Sequence, residues 1–187
     1  MNHRLLLLAA IATNACAAGD LREIRLDGRL HGAAATTGAQ LHVFCSPTAD
    51  GALGVELIVP DAQARKDFDY DDFEGPDAPA AMKALSRISV SGESGKTEIT
   101  HAAAGWYGVA PASSFVFGAN QKAMLRGKLA DLFGTLDGQR GHLVWVQTAF
   151  DDSRRELRAA FDFDDATARK LRGVVTACLA ATEKPRS

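Results

Sequence analysis

Residues 41–59, LHVFCSPTADGALGVELIV, decide the fold, because they place alternating apolar runs on both sides of one turn-forming stretch. Successive side chains of a strand point to opposite faces of its sheet. The first run puts Leu41, Val43 and Cys45 on one face, and the second run repeats the alternation from Leu53 onward. The pattern predicts two antiparallel strands with one buried face, joined by the stretch that contains proline and glycine.

Similar patterns extend in both directions along the chain. Strands are predicted at 21–30, 41–45, 53–59, 87–91, 96–101, 114–117, 142–150 and 154–161. Helices are predicted at 78–85, 120–133 and 165–182. Strands with one polar face argue against a parallel α/β sheet, whose strands are apolar on both faces. The predicted class is α+β: an antiparallel sheet or flattened sandwich of about seven to eight strands, a C-terminal helix packed on it, and one or two shorter helices.

The C-terminal helix carries the second half of a predicted disulfide. Asp164 can cap its N-terminus, and Leu171, Val174 and Cys178 fall on one apolar stripe. That stripe would place Cys178 against the sheet, where Cys45 could meet it. A Cys45–Cys178 bridge is expected in an oxidising compartment, and two free buried thiols are the alternative.

The first eighteen residues have the three-part layout of a secretory signal peptide. A short positive start is followed by an apolar run and by small residues at 15–18, and the run is too short to span a bilayer. We expect residues 1–18 to be cleaved, leaving a single β-rich domain at 19–187 that is periplasmic or secreted. Lipidation of Cys16, as in a bacterial lipoprotein, is the less favoured alternative.

Charge and hydropathy restrict the partners. The formal net charge is −2, and removing residues 1–18 takes away one base, Arg4, and no acid, which gives −3. A mildly acidic chain is not suited to nucleic acid or to anionic lipid. After the leader, the sequence has no apolar run of membrane-spanning length.

No motif in the sequence predicts catalysis, a metal site or a cofactor. Residues 94–97, SGKT, lack the earlier glycine of a phosphate-binding loop, because Val90 stands there, and they lie between two predicted strands. The histidines show no paired zinc spacing. No Gly-x-Ser-x-Gly elbow surrounds any serine. We therefore expect a protein that is not an enzyme, with no cofactor and no metal.

The acidic segment, residues 67–77, is the most unusual local composition. It has six acidic side chains and no basic one, interleaved with three aromatic residues. Aromatic residues occupy positions that a calcium loop gives to small residues, so the pattern does not match such a loop. A solvated edge and a surface for a basic partner both remain open, a metal site is the least favoured alternative, and the aromatic residues could instead be core anchors. The candidate partner-binding residues are Asp67, Asp69, Tyr70, Asp71, Asp72 and Glu74, with Trp106 and Tyr107 from a predicted connection.

These features favour an exported binding protein. The leading hypothesis is a periplasmic or envelope protein that binds a macromolecular partner, for example an inhibitor or immunity-type protein against a cell-wall-active enzyme. The alternative is a β-domain that binds a small ligand or lipid, with Trp106 or Tyr107 near the mouth of its cavity. A third hypothesis is an exported hydrolase whose catalytic groups only the fold brings together.

Overall fold

The computed structural model describes residues 23–32, 36–46, 52–108, 113–120, 123–152 and 154–180. Within them, nine strands form one antiparallel sheet. In chain order the strands are β1 (Glu23–His31), β2 (Thr36–Ser46), β3 (Ala52–Val59), β4 (Ser86–Gly92), β5 (Gly95–His101), β6 (Ala104–Tyr107), β7 (Phe115–Asn120), β8 (Gly141–Thr148) and β9 (Glu156–Phe163). The α-helices of the described residues are α1 (Ala123–Gly134) and α2 (Asp165–Ala180), and single 3₁₀ turns lie at Ala62–Ala64 and Asp71–Phe73. The α+β architecture stands, but the count of seven or eight strands was wrong, and one continuous sheet replaces the sandwich.

The sheet is curled. Its strand order is β5-β4-β8-β9-β1-β2-β3-β7-β6, so β5 and β6 are the two edges. These edge strands are consecutive in the chain and only Ala102 and Ala103 separate them. Three Cα–Cα steps span at most about 11 Å. The two edges must therefore approach each other, and we call the line between them the seam.

The concave face of the sheet forms the core. Cross-strand partners place apolar residues in continuous rows. Two such rows are Leu26–Leu41–Leu57–Phe117 across β1, β2, β3 and β7, and Ile88–Trp145–Ala159–Leu30 across β4, β8, β9 and β1. Trp145 is fully buried, as the alternation in its strand predicts.

Gly28 allows β1 to lie close beneath an aromatic ring of β9. A Cβ atom at this position would stand 2.3 Å from the Phe161 ring and 2.4 Å from the carbonyl oxygen of Ala160. Only a residue without a side chain fits so tight an approach. The fully buried Phe161 ring therefore covers β1 directly.

The two helices close one end of the curled sheet, the helical end. α2 packs on β1, β2 and β3, and its buried stripe includes Leu171, Val174 and Cys178, as predicted. The backbone N–H of Thr167 donates to the Asp164 carboxylate at 2.7 Å, which confirms the predicted cap. α1 contacts β3 on one side and β4 and β5 on the other. Residues 181 and 182, the predicted end of the last helix, lie outside the described residues.

The predicted disulfide joins α2 to the sheet. Cys45 and Cys178 lie at disulfide-bonding distance with Cα atoms 5.3 Å apart and a sequence separation of 133. The pair connects the last helix to β2 at the helical end. The leader and Cys16 lie outside the described residues, so cleavage and lipidation stay predictions.

Residues 60–85 cover the other end of the sheet, which we call the open end. The helix predicted at 78–85 was wrong, and this stretch forms successive turns. Its amides bond to carbonyls three residues back or to distant ones, as when the Ala81 N–H donates to Ala78 and the Ala80 N–H to Asp72. Pro79 has no N–H to donate and disfavours helical geometry in the residue before it.

Loss of the disulfide should lower stability strongly. A bridge closing so long a loop restricts the unfolded chain by up to about 5 kcal/mol in the chain-entropy model, and measured losses are about 2–5 kcal/mol. We expect a reductant to lower the urea midpoint of residues 19–187. The Cys45→Ala/Cys178→Ala variant should show the lower midpoint with or without reductant. Equal midpoints for the oxidised and reduced wild type would contradict a structural bridge.

Candidate functional site

The acidic segment crosses the open end with its aromatic side chains pointing inward. Phe68, Tyr70 and Phe73 are buried. The Tyr70 ring lies 5.2 Å from Phe115, and the Phe73 ring lies edge-on to Phe117 at 5.3 Å. Such aromatic pairs contribute about 0.5–1.5 kcal/mol each beyond the burial of their surface. The aromatic residues are thus core anchors that fix the segment to β7.

Because the rings point inward, most carboxylates of the segment point outward. Asp69, Asp71 and Glu74 are exposed, while Asp72 is half-buried. Burial raises the pKa of Asp72, and the nearby carboxylates of Asp69, Asp151 and Asp71 raise it further. The surface is therefore a set of like charges held close together, which costs free energy until a cation approaches.

A buried ion pair lies beneath this surface. An Arg65 guanidinium nitrogen is 2.8 Å from Asp67, and their side chains are only 10% and 6% exposed. Arg65 also donates to the Thr37 hydroxyl at 3.0 Å. Gly32 makes room for the pair, since a Cβ atom there would lie 2.2 Å from the Asp67 carboxylate. The predicted partner-binding residue Asp67 is thus a structural anion whose charge Arg65 neutralises.

Three buried polar atoms in this region have no hydrogen-bond partner in the described part of the chain. They are Nε of Arg65, Oδ1 of Asp67 and the Tyr70 hydroxyl. Burial raises the pKa of Tyr70 well above its ordinary value, and Arg65 partly opposes this rise. Buried polar groups without partners are uncommon, and they mark a place where a ligand or water can bind.

Tyr107 positions one carboxylate of the acidic segment. Its hydroxyl donates to Oδ1 of Asp71 at 2.7 Å, and its ring packs edge-on against Phe115 at 5.0 Å. Burial and this hydrogen bond raise the pKa of Tyr107 to about 12. The bond joins the acidic segment to β6. Asp71 is therefore fixed by Tyr107 as well as by the buried rings of its own segment.

These residues surround an open cleft of about 390 Å³. The cleft is lined by Ala62, Gln63, Arg65, Lys66, Phe68, Asp69, Tyr70, Asp71, Tyr107 and Arg155. Four of the eight predicted partner-binding residues, Asp69, Tyr70, Asp71 and Tyr107, therefore share one site. The volume falls in the range typical of small-molecule pockets, about 300–1,000 Å³, but the lining is unusually polar.

The remaining predicted residues lie around this cleft. Asp72 faces Asp151 and Arg155, and Glu74 forms an isolated bridge with Gly105 of β6. Trp106 and Tyr107 were predicted in a connection, but they belong to the short edge strand β6. Trp106 is 40% exposed, and a Cβ atom on Gly118 would touch its ring at 2.9 Å. Trp106 therefore lies across β7, while Tyr107 lines the cleft.

Sequence reasoning missed the cations of the cleft. Arg65 and Lys66 precede the acidic segment directly, and Arg155 comes from the turn between β8 and β9, where it pairs with Asp151. In the sequence, these cations are marked only by the basic pair before the acidic segment and by an arginine close to Asp151 and Asp152. That pattern is also typical of a solvated surface.

Comparisons of the chain with models of protein families, with curated proteins and with solved structures found no match.

Two further clusters of polar side chains contain histidine. His42 on β2 is buried between Glu56, at 2.9 Å, and Glu23, at 3.0 Å. His142 on β8 lies 2.8 Å from Asp162. The two strands are separated by β9 and β1, so the histidines do not meet. Across the described ranges, no group of three or more His, Cys, Asp or Glu side chains is arranged to hold a metal ion.

The His142 cluster has the residue types of a catalytic triad without its geometry. Ser91, His142 and Asp162 are cross-strand neighbours on β4, β8 and β9. The Ser91 hydroxyl donates to the backbone carbonyl of His142 at 3.5 Å, whereas a nucleophile would donate to the imidazole ring. Asp162 is 74% exposed and also lies near Arg29. The row therefore lacks the nucleophile–base bond that the hydrolase hypothesis needs.

Within the described ranges, no helix is long and apolar enough to cross a bilayer, and this includes α1 and α2.

Both tyrosines of the chain should resist ionisation in the folded state. Tyr70 and Tyr107 are the two tyrosines, and both have a raised pKa. A raised folded-state pKa stabilises the fold below about pH 10 and loses that contribution as the pH rises further. We expect little tyrosinate absorbance from native protein at about pH 11, and full absorbance after unfolding. Ordinary titration of either residue near pH 10, with native circular dichroism retained, would contradict the site geometry.

Breaking the buried ion pair should be costly. Asp67→Asn leaves the Arg65 charge buried without a counter-ion, so we expect a loss of about 3–5 kcal/mol in the free energy of unfolding. In a double-mutant cycle, the variant Arg65→Met/Asp67→Leu should lose less free energy of unfolding than Arg65→Met and Asp67→Leu lose together. The exposed pair of Lys96 and Glu98 is the control, where Glu98→Gln should change stability by less than about 1 kcal/mol. A loss for Asp67→Asn as small as this would show that the pair is not structural.

Proposed function

We propose that the chain is an exported binding protein that engages a basic protein partner through the acidic segment and the cleft beside it. The observation that carries this proposal is the separation of rings and carboxylates at the open end. Phe68, Tyr70 and Phe73 are buried, while Asp69, Asp71 and Glu74 are exposed. The folding of the chain uses the rings and keeps these carboxylates at the surface, where the Tyr107 hydroxyl orients Asp71.

The charge distribution supports the same proposal. The acidic segment carries a formal charge of −6, whereas the whole chain carries −2, so all other residues together are net +4. A local excess of one sign steers an oppositely charged partner and raises its association rate. It also discourages two copies of this surface from meeting.

A cation would relieve a strain that the free protein carries. The crowding of Asp72 with Asp69, Asp151 and Asp71 is opposed mainly by Arg155, which already pairs with Asp151. A lysine or arginine from a partner would add the missing positive charge and lower the pKa of Asp72. Binding should therefore release protons in the acidic range, and it should weaken as salt concentration rises.

Export and inhibition are the finer parts of the proposal. The signal-peptide pattern of residues 1–18 and the Cys45–Cys178 pair both suit an oxidising compartment outside the cytoplasm. A basic enzyme that degrades the cell wall is a partner of suitable charge in that compartment. We propose that the protein is an inhibitor or immunity-type protein for such an enzyme and has no catalytic activity of its own.

A small polar ligand is the second candidate occupant of the cleft. The unpartnered atoms of Arg65, Asp67 and Tyr70 favour it, because a ligand with both donors and acceptors could bond to them. Such a ligand would lie beside Tyr107, one residue from the partly exposed Trp106. Binding of such a small ligand would change the tryptophan fluorescence emission without any protein partner.

Charge reversal at the rim tests the leading proposal. The protein is titrated against a panel of basic wall hydrolases (muramidase, amidase and endopeptidase), with lysis of cell-wall suspensions and direct binding as readouts. We expect one member to be inhibited. Asp69→Lys/Asp71→Lys should weaken that binding at least about tenfold, which corresponds to about 1.4 kcal/mol.

The matched control places the same charge change at the helical end. Glu93→Lys/Asp131→Lys alters two exposed acids far from the cleft and should leave affinity within about threefold at moderate salt. Equal losses for the two variants would reject the acidic segment as the interface. Absence of binding to every hydrolase, combined with an emission change on adding small polar ligands, would favour the second candidate.

A further inference from the structure

His101 occupies the point where the chain joins the two edges of the sheet. It is the last residue of β5, and Ala102 and Ala103 carry the chain across the seam to β6. Its backbone pairs with Ser86 of β4. A change in the position of His101 would therefore act directly on the closure of the curled sheet.

The His101 ring is buried and only half satisfied. Its residue is 9% exposed, and Nδ1 lies 2.9 Å from the carbonyl oxygen of Ala102. A carbonyl only accepts, so Nδ1 carries the hydrogen and Nε2 is the free acceptor of a neutral ring. Nε2 is buried without a partner among the described residues. The ring lies edge-on to Trp145 at 5.7 Å, and in the described part of the chain the Trp145 Nε1–H has no hydrogen-bond partner either.

Among the described residues, no group near His101 is suited to an imidazolium ion. Ser86 and Gln147 lie in the same cross-strand row, but the Ser86 hydroxyl donates to Gln147, whose amide donates to the Leu85 carbonyl. Ser86, Gln147 and Trp145, which face the ring from β4 and β8, are uncharged. Burial lowers the pKa of His101, the Ala102 carbonyl partly opposes this, and no carboxylate or cation contributes. The neighbouring charges of Arg87 and Glu98 lie on the opposite face of their strands.

We propose that His101 is a pH-sensitive latch: the neutral ring holds the seam closed, and its protonation releases the link between β5 and β6. A charged ring needs an acceptor for Nε2–H, and because no described residue is placed to accept, the solvent supplies one. The ring therefore moves outward, and Ala102 and Ala103 move with it. The edge strand β6, which is four residues long and pairs with β7, is the element that yields.

The direction of the effect follows from proton linkage. The closed state binds the proton less tightly than the open state, in which the imidazole has an ordinary pKa near 6.5. Closure is fully favoured above that value and loses stability as the pH falls towards the closed-state pKa. Each pKa unit between the two states allows the open population to rise about tenfold.

The latch also reaches the candidate binding surface. β6 carries Tyr107, whose hydroxyl holds Asp71. Opening of the seam would release that carboxylate, so acid would weaken binding at the cleft. This consequence rests on the proposed function, whereas the latch itself does not, and the experiment uses the protein without any partner.

The test follows seam opening in the full chain. In a Trp106→Phe background Trp145 is the one remaining tryptophan, because the chain has two. Emission and amide hydrogen exchange are measured from about pH 7.5 to about pH 5, with exchange corrected by an unfolded reference. We expect a red shift of Trp145 emission, and a rise in exchange of residues 99–107 that approaches tenfold per pH unit below about pH 6.5.

Three variants separate the latch from general acid destabilisation. His101→Phe keeps a ring against Trp145 and removes the titrating group, so both signals should become independent of pH in this range. His101→Gln serves the same purpose if the phenylalanine variant does not fold. His142→Gln removes an exposed histidine and should behave as wild type. The same transition in the His101 variants, or no transition in the wild type, would overturn the proposal.

Discussion

The crossing from β5 to β6 in two residues is the constraint on which the rest of the structure depends. Two edge strands linked so closely cannot belong to a flat sheet, so the nine strands curl until their edges approach. Curling creates one concave apolar face with two ends. α1 and α2 cover the helical end, and residues 60–85 cover the other. Because both covers pack on the same concave face, the core and the candidate site are parts of one arrangement.

The covers differ in how they are attached. At the helical end the Cys45–Cys178 pair joins α2 to the sheet, and a buried stripe of leucine and valine packs beside it. At the open end the attachment is aromatic packing together with the buried pair of Arg65 and Asp67. Among the described residues, buried polar atoms of Arg65 and Tyr70 at the open end have no hydrogen-bond partner. We expect a binding surface where the fold leaves buried polar atoms without hydrogen-bond partners, because another molecule can supply them.

Local patterns predicted the elements better than their arrangement. Alternation identified the strands around Leu41 and Leu53, and the cap at Asp164 with the stripe through Cys178 identified α2. Periodicity reveals which face of a strand is buried, but not which strand pairs with it. The pairings of β3 with β7 and of β1 with β9 join distant parts of the chain, so one curled sheet could not be distinguished from a sandwich. Trp106 and Tyr107 were missed as a strand because β6 is short and lies among glycine, alanine and proline.

The candidate site shows the same division between local and distant information. The interleaving of rings and acids drew attention to residues 67–77, and alternation accounts for Phe68, Asp69 and Tyr70. It does not account for Phe73, which reaches the core from a single 3₁₀ turn at Asp71–Phe73. It could not separate Asp67, which Arg65 neutralises, from Asp69, which stays exposed. Nor could it bring in Arg155, whose position depends on the pairing of β8 with β9.

Tyr107 connects the Asp71 carboxylate of the candidate site to the edge strand β6. One side of its ring packs on Phe115 in the core, and its hydroxyl holds Asp71 on the surface. The same residue ends β6, the strand that the seam releases first if His101 becomes charged. A change at the seam therefore affects the Asp71 carboxylate through β6. In turn, a cation bound at Asp71 would stabilise the position of β6. Closure of the sheet and occupation of the cleft are thus expected to stabilise each other, because both depend on the position of β6.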